Sequence, residues 1–484
     1  MSSLKRHLLK VFNVCYGKTM ENGIKAYKPL QNQNEDTILL FNRNKLPLSK
    51  KLAFALGHVY NDICAALWFT YSLIFLQLVI QYGPTQAGAF LLLGQTVDAV
   101  FTPISGYILD RTGERKKWHF YGSVLVVVSF PMIFTSCSAL GTPWMQASVF
   151  AMAITIFQIG WALVQISHLS MLTELTPLPE ERATLTAYRY TASMVSHILV
   201  YFMVWIFLNS GQAMNAELIG PNDAWRFLDT VLVMSGIGII STAIFHIILA
   251  RHRWEVIENK ERGKSTREYV KAKVSKLFRS PQLYKIAITY TASRLFMTLS
   301  LEYIPLFINE TVVSDPGTLA TVPLASFVVS AFVSPIVKHT RLLWGNKATY
   351  TFGCVLCLTG CFIVQHTNER TDDATLIFCI AMLFGAGSAI TTVISLCLTA
   401  NFIGGDTQCG AFVYSSVTFA DKLINGLAVV TIEYMKCNEK ELCPFYYGNV
   451  LSFVNGTISI IGLFVLLTLP GELFTGLYSH DITL

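Results

Sequence analysis

Ionisable and amide side chains interrupt stretches that are otherwise apolar. His58, Asn61 and Asp62 fall in GHVYNDICAALWFTY, Asp98 in GQTVDAVFTP, Gln158, Gln165 and His168 in FQIGWALVQISHLS, and Arg189 in LTAYRY. Arg294 and Glu302 follow in a later run, and Asp421, Lys422 and Asn425 lie in FIGGDTQCGAFVYSSVTFADKLINGLAV. Inside a bilayer a charged side chain costs at least about 2.5–3.5 kcal/mol to insert, so each is expected to face a cavity, a partner or an ion path. A structural reading, in which ion pairs lock helices together, accounts for any one of them but needs far fewer polar groups than this set contains. Hydrolytic chemistry has no nominee, because neither HExxH nor GxSxG occurs. Gly263-Lys264-Ser265 ends like a phosphate loop, yet Glu258 stands where the first glycine is required. Cys354, Cys357 and Cys361 have metal-like spacing but share an apolar run, where cysteine behaves as a small hydrophobe, so no metal site is expected.

The elements carrying these residues are long and apolar. Of 484 residues, 53% are apolar or aromatic and 14% charged, against roughly 25% charged in an ordinary soluble domain. Runs poor in charge begin near residues 52, 86, 118, 147, 184, 225, 283, 318, 347, 374, 409 and 447. Twelve spans of about 22 residues would absorb more than half the chain and each would cross a ~30 Å hydrocarbon core. The expectation is an all-α polytopic membrane protein with twelve transmembrane helices, which excludes a soluble enzyme, a nucleic-acid binder and a disordered scaffold as descriptions of the whole.

Lys and Arg fix the expected orientation. Ten lie before residue 52 and ten more between Arg251 and Arg279, while the loops of the opposite side hold Arg370, Lys436 and Lys440. Both termini are therefore expected in the cytosol. No signal peptide is expected, since Lys5, Arg6 and Lys10 break up the first apolar stretch. The organisation follows as a cytosolic tail (1–50), a six-helix bundle (51–250), a cytosolic linker (251–281), a second six-helix bundle (282–470) and a cytosolic tail (471–484). Val270, Val274 and Leu277 give the linker a helical apolar spacing suited to a membrane surface. Cys437 and Cys443 share a loop expected on the non-cytosolic side, where a disulfide is allowed, and Asn309 begins a sequon on that side.

An offset of 232 residues relates the halves. Thr102-Pro103-Ile104 falls on Ser334-Pro335-Ile336, Gly113 on Gly345, Arg115 on Lys347 and Tyr71 on Tyr303. It also places Asp62 on Arg294 and Arg189 on Asp421, so the buried charges are related by the repeat with opposite sign.

GYILDRTGERKK, from Gly106 to Lys117, adds a specific signal. Gly106 and Gly113 allow tight packing and a sharp turn, Asp110 can cap or pair at a helix end, and Arg111, Arg115 and Lys116 hold the loop in the cytosol. The segment resembles the loop signature of the major facilitator superfamily, G-x-x-x-D-R-x-G-(R/K)-(R/K), with Glu114 inserted before the last basic pair; its implied role is conformational. Pro179 to Arg182 with Ala187-Tyr188-Arg189-Tyr190 looks like the glycoside-pentoside-hexuronide:cation symporter branch. The segments quoted around His58, Gln158 and Arg189, and above all Phe402 to Val429, resemble members of the superfamily that import cysteine into lysosomes and melanosomes. The resemblance covers all twelve expected spans. It implies two six-helix halves related by a pseudo-two-fold axis and a cysteine transporter of an acidic organelle. Asp62 and Asp98 match the acids that bind cation and sugar in the symporter branch, and Arg189 and Lys422 match charged cavity positions. Four residues beyond Asp98 the branch has a second acid and this chain has Thr102, which removes an anionic ligand from a sodium site.

A cysteine site implied in this way needs a cation for the carboxylate, an anion for the ammonium and a tight apolar pocket for the thiol. Arg189 or Arg294, Asp62 or Asp421, and Trp161 with Gln165 are the respective candidates, with Lys422 and Asn425 completing the site. Import into an acid lumen implies proton exchange or a uniporter; His58 and His168, with an ordinary pKa near ~6.5, and Asp98 are the candidate coupling groups, and no cofactor is expected. In the tail, Glu35 to Leu40 (EDTILL, with Leu39 and Leu40 as the pair) has the spacing of a sorting signal read by clathrin adaptors, and Tyr27 to Leu30 fits a tyrosine-based one. A sugar:cation symporter and a transport-dead receptor or scaffold are the alternatives.

Overall fold

The computed structural model describes residues 46–112, 114–135, 142–176, 179–209, 219–249, 279–311, 317–367, 374–403, 407–437 and 445–470. No strand occurs among them. In chain order the helices are α1 (Leu48–Leu56), α2 (Val59–Ile74, continued by a π turn, Phe75–Val79), α3 (Pro84–Thr112), α4 (Arg115–Ile133), α5 (Pro143–Leu175) and α6 (Pro179–Asn209). Then follow α7 (Ala224–Ile248), α8 (Pro281–Glu310), α9 (Thr318–His366), α10 (Ala374–Ile403), α11 (Thr407–Met435), α12 (Tyr446–Asn449) and, after a second π turn (Val450–Val454), α13 (Asn455–Leu467). Proline opens α3, α5, α6 and α8, where its fixed φ suits the first turn and its missing N–H would have had no partner. Thr142 completes the start of α5 by accepting from the N–H of Met145 at 3.4 Å. Within α9, Gly345 takes φ 79° and ψ 169°, a turn that divides the helix in two.

Nine helical stretches of the described residues are long and apolar enough to cross a membrane. The helices that fall short, α4, α8 and α11, carry Arg115, Lys116 and Lys117, then Lys285, Arg294 and Glu302, then Asp421, Lys422 and Glu433. Charge lowers their hydropathy in the places where the sequence puts candidate site residues.

Close helix crossings occur in both parts of the chain. A Cβ on Gly122 would stand 2.9 Å from Gly160 O and one on Gly160 2.8 Å from Gly122 O, so α4 and α5 cross backbone to backbone. In the second half a Cβ on Gly387 would stand 2.8 Å from Gly353 O, bringing α10 against the second part of α9 in the same way. Lys116 Nζ donates to His246 O at 3.1 Å near the end of α7, and Lys347 Nζ to Leu469 O at 3.1 Å beyond the end of α13. Each lysine meets the partly negative carbonyl end of a helix.

One apolar cluster joins the halves. It contains Tyr71, Ile74 and Phe75 of the first with Leu306, Phe307 and Leu319 of the second, and Tyr71 Oη donates to Leu319 O at 3.2 Å. Toward the opposite end the second half has a separate cluster, with Leu283, Val337, Leu398, Phe402 and Val417.

Candidate functional site

But for Gly57 and His58, α1 and α2 would be one helix. The break leaves Gly57 O without a helical donor among the described residues and Phe54 O with only a 3.1 Å bond from the Gly57 N–H, so both take further donors inside the bundle. Two imidazoles supply them: His168 Nε2 lies 2.7 Å from Phe54 O, and His119 Nε2 lies 3.0 Å from Gly57 O. His168 also stacks on Phe54, with ring centroids 4.2 Å apart. His119 Nδ1 is 3.1 Å from His246 Nε2, so His58, His168, His119 and His246 form a series with centroid spacings of 5.2, 5.9 and 5.1 Å. His119 and His246 escaped the sequence reading because one sits in a basic helix start and the other near the end of an apolar run.

On the other side of the break, His58 Nδ1 lies 3.0 Å from Asp62 Oδ2, and Arg189 Nη2 donates to His58 Nε2 at 2.9 Å. An arginine has no lone pair, so His58 Nε2 accepts and the ring proton sits on Nδ1, toward the carboxylate. Among the described residues Arg189 Nε and Asn61 Oδ1 are buried without a hydrogen-bond partner.

The second half repeats the arrangement. Arg294 Nε lies 3.6 Å from Asp421 Oδ2, and Asn425 Nδ2 donates to Asp421 Oδ1 at 2.8 Å. Asn425 Oδ1 is buried without a hydrogen-bond partner among the described residues. Asp421 is buried, whereas the Arg294 side chain is 33% exposed and so remains reachable. The halves then meet through charge: Lys422 Nζ is 2.7 Å from Asp98 Oδ2 and donates to Thr102 Oγ1 at 3.0 Å, while Thr102 donates to Asp98 Oδ1 at 3.2 Å. Each half thus keeps its own acid and base together, and Asp98–Lys422 joins the two.

Trp161 is buried against Phe157, and Gln165 is half-buried on the same helix. Sequence reasoning missed Trp68, whose indole N–H is buried without a partner among the described residues. Gly94 makes room for it, since a Cβ there would be 2.7 Å from the indole and 3.1 Å from Gln158 Nε2.

Several expectations end differently. Gly106 does not mediate tight packing: a Cβ there would meet nothing within 4 Å, because α3 faces open space at this point. Arg115 Nη1 donates to Ser170 O at 2.6 Å and Lys116 Nζ to His246 O at 3.1 Å, and these contacts tie the start of α4 to α5 and α7. Asp110 and Arg111 belong to α3, but their side chains lie outside the described set, as do Gly113, the sorting residues Glu35, Leu39 and Leu40, and most of the linker. Cys437 is disulfide-bonded, and its expected partner Cys443 lies outside the described residues. Asn309 sits in the last turn of α8.

An all-helical fold whose long apolar helices enclose paired charges is that of an integral, multi-pass membrane protein of the secondary-transporter class. The family model for MFS/sugar transport proteins matches residues 53–435. Major facilitator superfamily domain-containing protein 12 of Mus musculus is 34% identical over 449 residues, covering 88% of this chain and 94% of that protein; its Homo sapiens counterpart is 34% identical over 441 residues, covering 85% and 91%. The glucuronide carrier protein homolog of Escherichia coli is 22% identical over 353 residues, covering 71% and 73%. Among solved structures, that of a D-xylose-proton symporter superposes with a TM-score of 0.67 at 17% identity, covering 87% of this chain and 98% of the other. The chain belongs to the major facilitator superfamily and is a transporter, not an enzyme.

Proposed function

We propose that this protein moves cysteine from the cytosol into the lumen of lysosomes or lysosome-related organelles by alternating access. Twelve spans arranged as the bundles 51–250 and 282–470, with both termini cytosolic, would carry it. The observation that supports a small zwitterion as cargo is the pairing itself. Arg189 is half-buried, with its Nε buried and unpartnered among the described residues, near Asp62, and Arg294 stays reachable beside Asp421. A carboxylate would engage one of these arginines and an ammonium one of the acids, with Asn61 Oδ1 and Asn425 Oδ1 as further acceptors. The apolar faces around Trp161 and Gln165 would take the thiol. His58, Asp98 and His168 are the proposed proton-coupling groups, and the dileucine of the tail the proposed adaptor signal.

The second reading, a sugar:cation symporter, draws on the relative named as a glucuronide carrier homolog. Against it, the Lys422 ammonium already neutralises Asp98, the carboxylate matching the branch's cation site.

The test is uptake of labelled cysteine into purified lysosomes from cells lacking the endogenous carrier, with Arg189→Ala compared at equal organelle abundance. Saturable uptake is expected from the native chain, reduced at least tenfold in the variant. Entry of labelled sugar without cysteine would replace this reading with the symporter one.

A further inference from the structure

At the end of the bundle that carries residues 80–83, a ring of hydrogen bonds ties the halves together. Gln77, in the π turn after α2, donates from Nε2 to Glu433 Oε2 at 2.7 Å. Tyr447 Oη is 2.7 Å from Gln77 Oε1 and 3.2 Å from Glu433 Oε2, and it accepts from Lys436 Nζ at 2.9 Å. Three contacts close the ring, and each requires one proton. The Gln77 amide supplies one and the Tyr447 hydroxyl another; a carboxylate supplies none. Flipping the Gln77 amide leaves the count unchanged, because its oxygen would then face Glu433 Oε2. The ring is complete when Glu433 itself carries the third proton.

The surroundings agree. Glu433 is fully buried, and its Oε1 has no partner among the described residues. An ionised carboxylate left in this state pays a desolvation cost that a neutral carboxyl avoids. From α8, Glu302 is 2% exposed with Oε2 unpartnered among the described residues, and it lies within electrostatic range of Glu433. Tyr303 stacks on Tyr447 and directs its hydroxyl at the Glu433 carboxyl, and Glu310 accepts from the Tyr447 N–H at 2.8 Å. Tyr446 donates to Ile432 O. Lys436, three residues beyond Glu433, donates to Tyr447, and its positive charge also acts on the Glu433 carboxylate, opposing the burial and the Glu302 charge that favour the proton. From α3 the residue packed against Glu433 is Gly88, where a Cβ would sit 3.0 Å from Glu433 Cβ, and it brings no titratable side chain.

We propose that Glu433, with Glu302 beside it, is a proton-binding site that holds this end of the transporter closed. With the proton in place, Gln77 of the first half is bonded to Glu433 and Tyr447 of the second. Its loss opens the ring and leaves a buried charge, favouring separation. The closed state therefore binds the proton more tightly, and its population rises as pH falls and declines as pH rises. The proposal rests on alternating access but not on the identity of the cargo.

The test uses the full chain in nanodiscs without substrate, its accessible free cysteines replaced and spin labels placed at Gly83→Cys and Met435→Cys. Gly83 has no atoms near its Cβ position and Met435 is well exposed. Electron–electron distance measurements are expected to show the short-distance population growing from pH 8 to pH 5, by up to about tenfold per pH unit for one proton. Glu433→Gln should stay mostly short and lose the pH response. Gln77→Ala, which alters no charge, should lower the short population at every pH, and it decides the matter should Glu433→Gln fail to fold. A native pH response in Glu433→Gln, or native closure in Gln77→Ala, would overturn the proposal. No cargo is present, so either result leaves the cysteine reading to its own uptake test.

Discussion

Lys422 and Asp98 show how much of a site is decided by single side chains. Their side chains are 13% and 9% exposed, so neither can recover hydration if the other is removed. Breaking such a pair from one side costs about 3–5 kcal/mol, whereas replacing both partners with neutral groups is often close to neutral. Lys422→Met is therefore expected to lower the thermal unfolding midpoint of the detergent-solubilised protein sharply, and Asp98→Asn with Lys422→Met to recover most of the loss. A double change as damaging as the single would mean that Lys422 holds the halves together through packing and its bond to Thr102. The sequence places Asp98 and Lys422 in helices and marks both as functional, but it cannot show that one answers the other. They are 324 residues apart, and the repeat aligns other pairs.

Helix crossings carry the next level of the argument. The α4–α5 contact puts the backbone oxygen of Gly160 where a Gly122 side chain would begin, and a carbonyl cannot swing aside as a side-chain tip can. Gly122→Val should force the two helices apart and cost about 1–3 kcal/mol by overpacking, read as a lower unfolding midpoint with an unchanged helical circular dichroism spectrum. Retention of the native midpoint would show the crossing to be adaptable. At this scale the sequence was informative: the charge-poor apolar runs locate helices that the structure contains. It said nothing of the break at Gly57–His58. That break depends on the Phe245 ring, which a Cβ at Gly57 would approach to 2.6 Å, and on His119 and His168 arriving from other helices to donate to Gly57 O and Phe54 O. Gln77 was equally hidden, because a π turn redirects it in a way helical periodicity does not anticipate.

For the whole molecule, what matters is where the halves touch. Along α3 and α11 the contacts run from Gly88 against Glu433, through Leu92 and Gln95 against Gly426, to Asp98 and Thr102 against Lys422. Beyond that point Gly106 faces open space and the second half has a separate apolar cluster. The structure is therefore a state closed at the 80–83 end. Alternating access requires this seam to part, and Gly426 is its tightest point, since a Cβ there would lie 2.9 Å from Leu92 and 3.0 Å from Gln95. Gly426→Trp should wedge the seam open, shifting the Gly83–Met435 distance to its long population at all pH values and cutting transport at least tenfold while the protein stays folded. Gly236→Trp, at a site with nothing within 4 Å, controls for bulk alone. If the wedge leaves both distance and transport as they were, the seam along α3 and α11 is not the surface on which the halves rock, and the moving contact must be sought between α6 and α9, where His197 stacks on Phe327 at 4.6 Å.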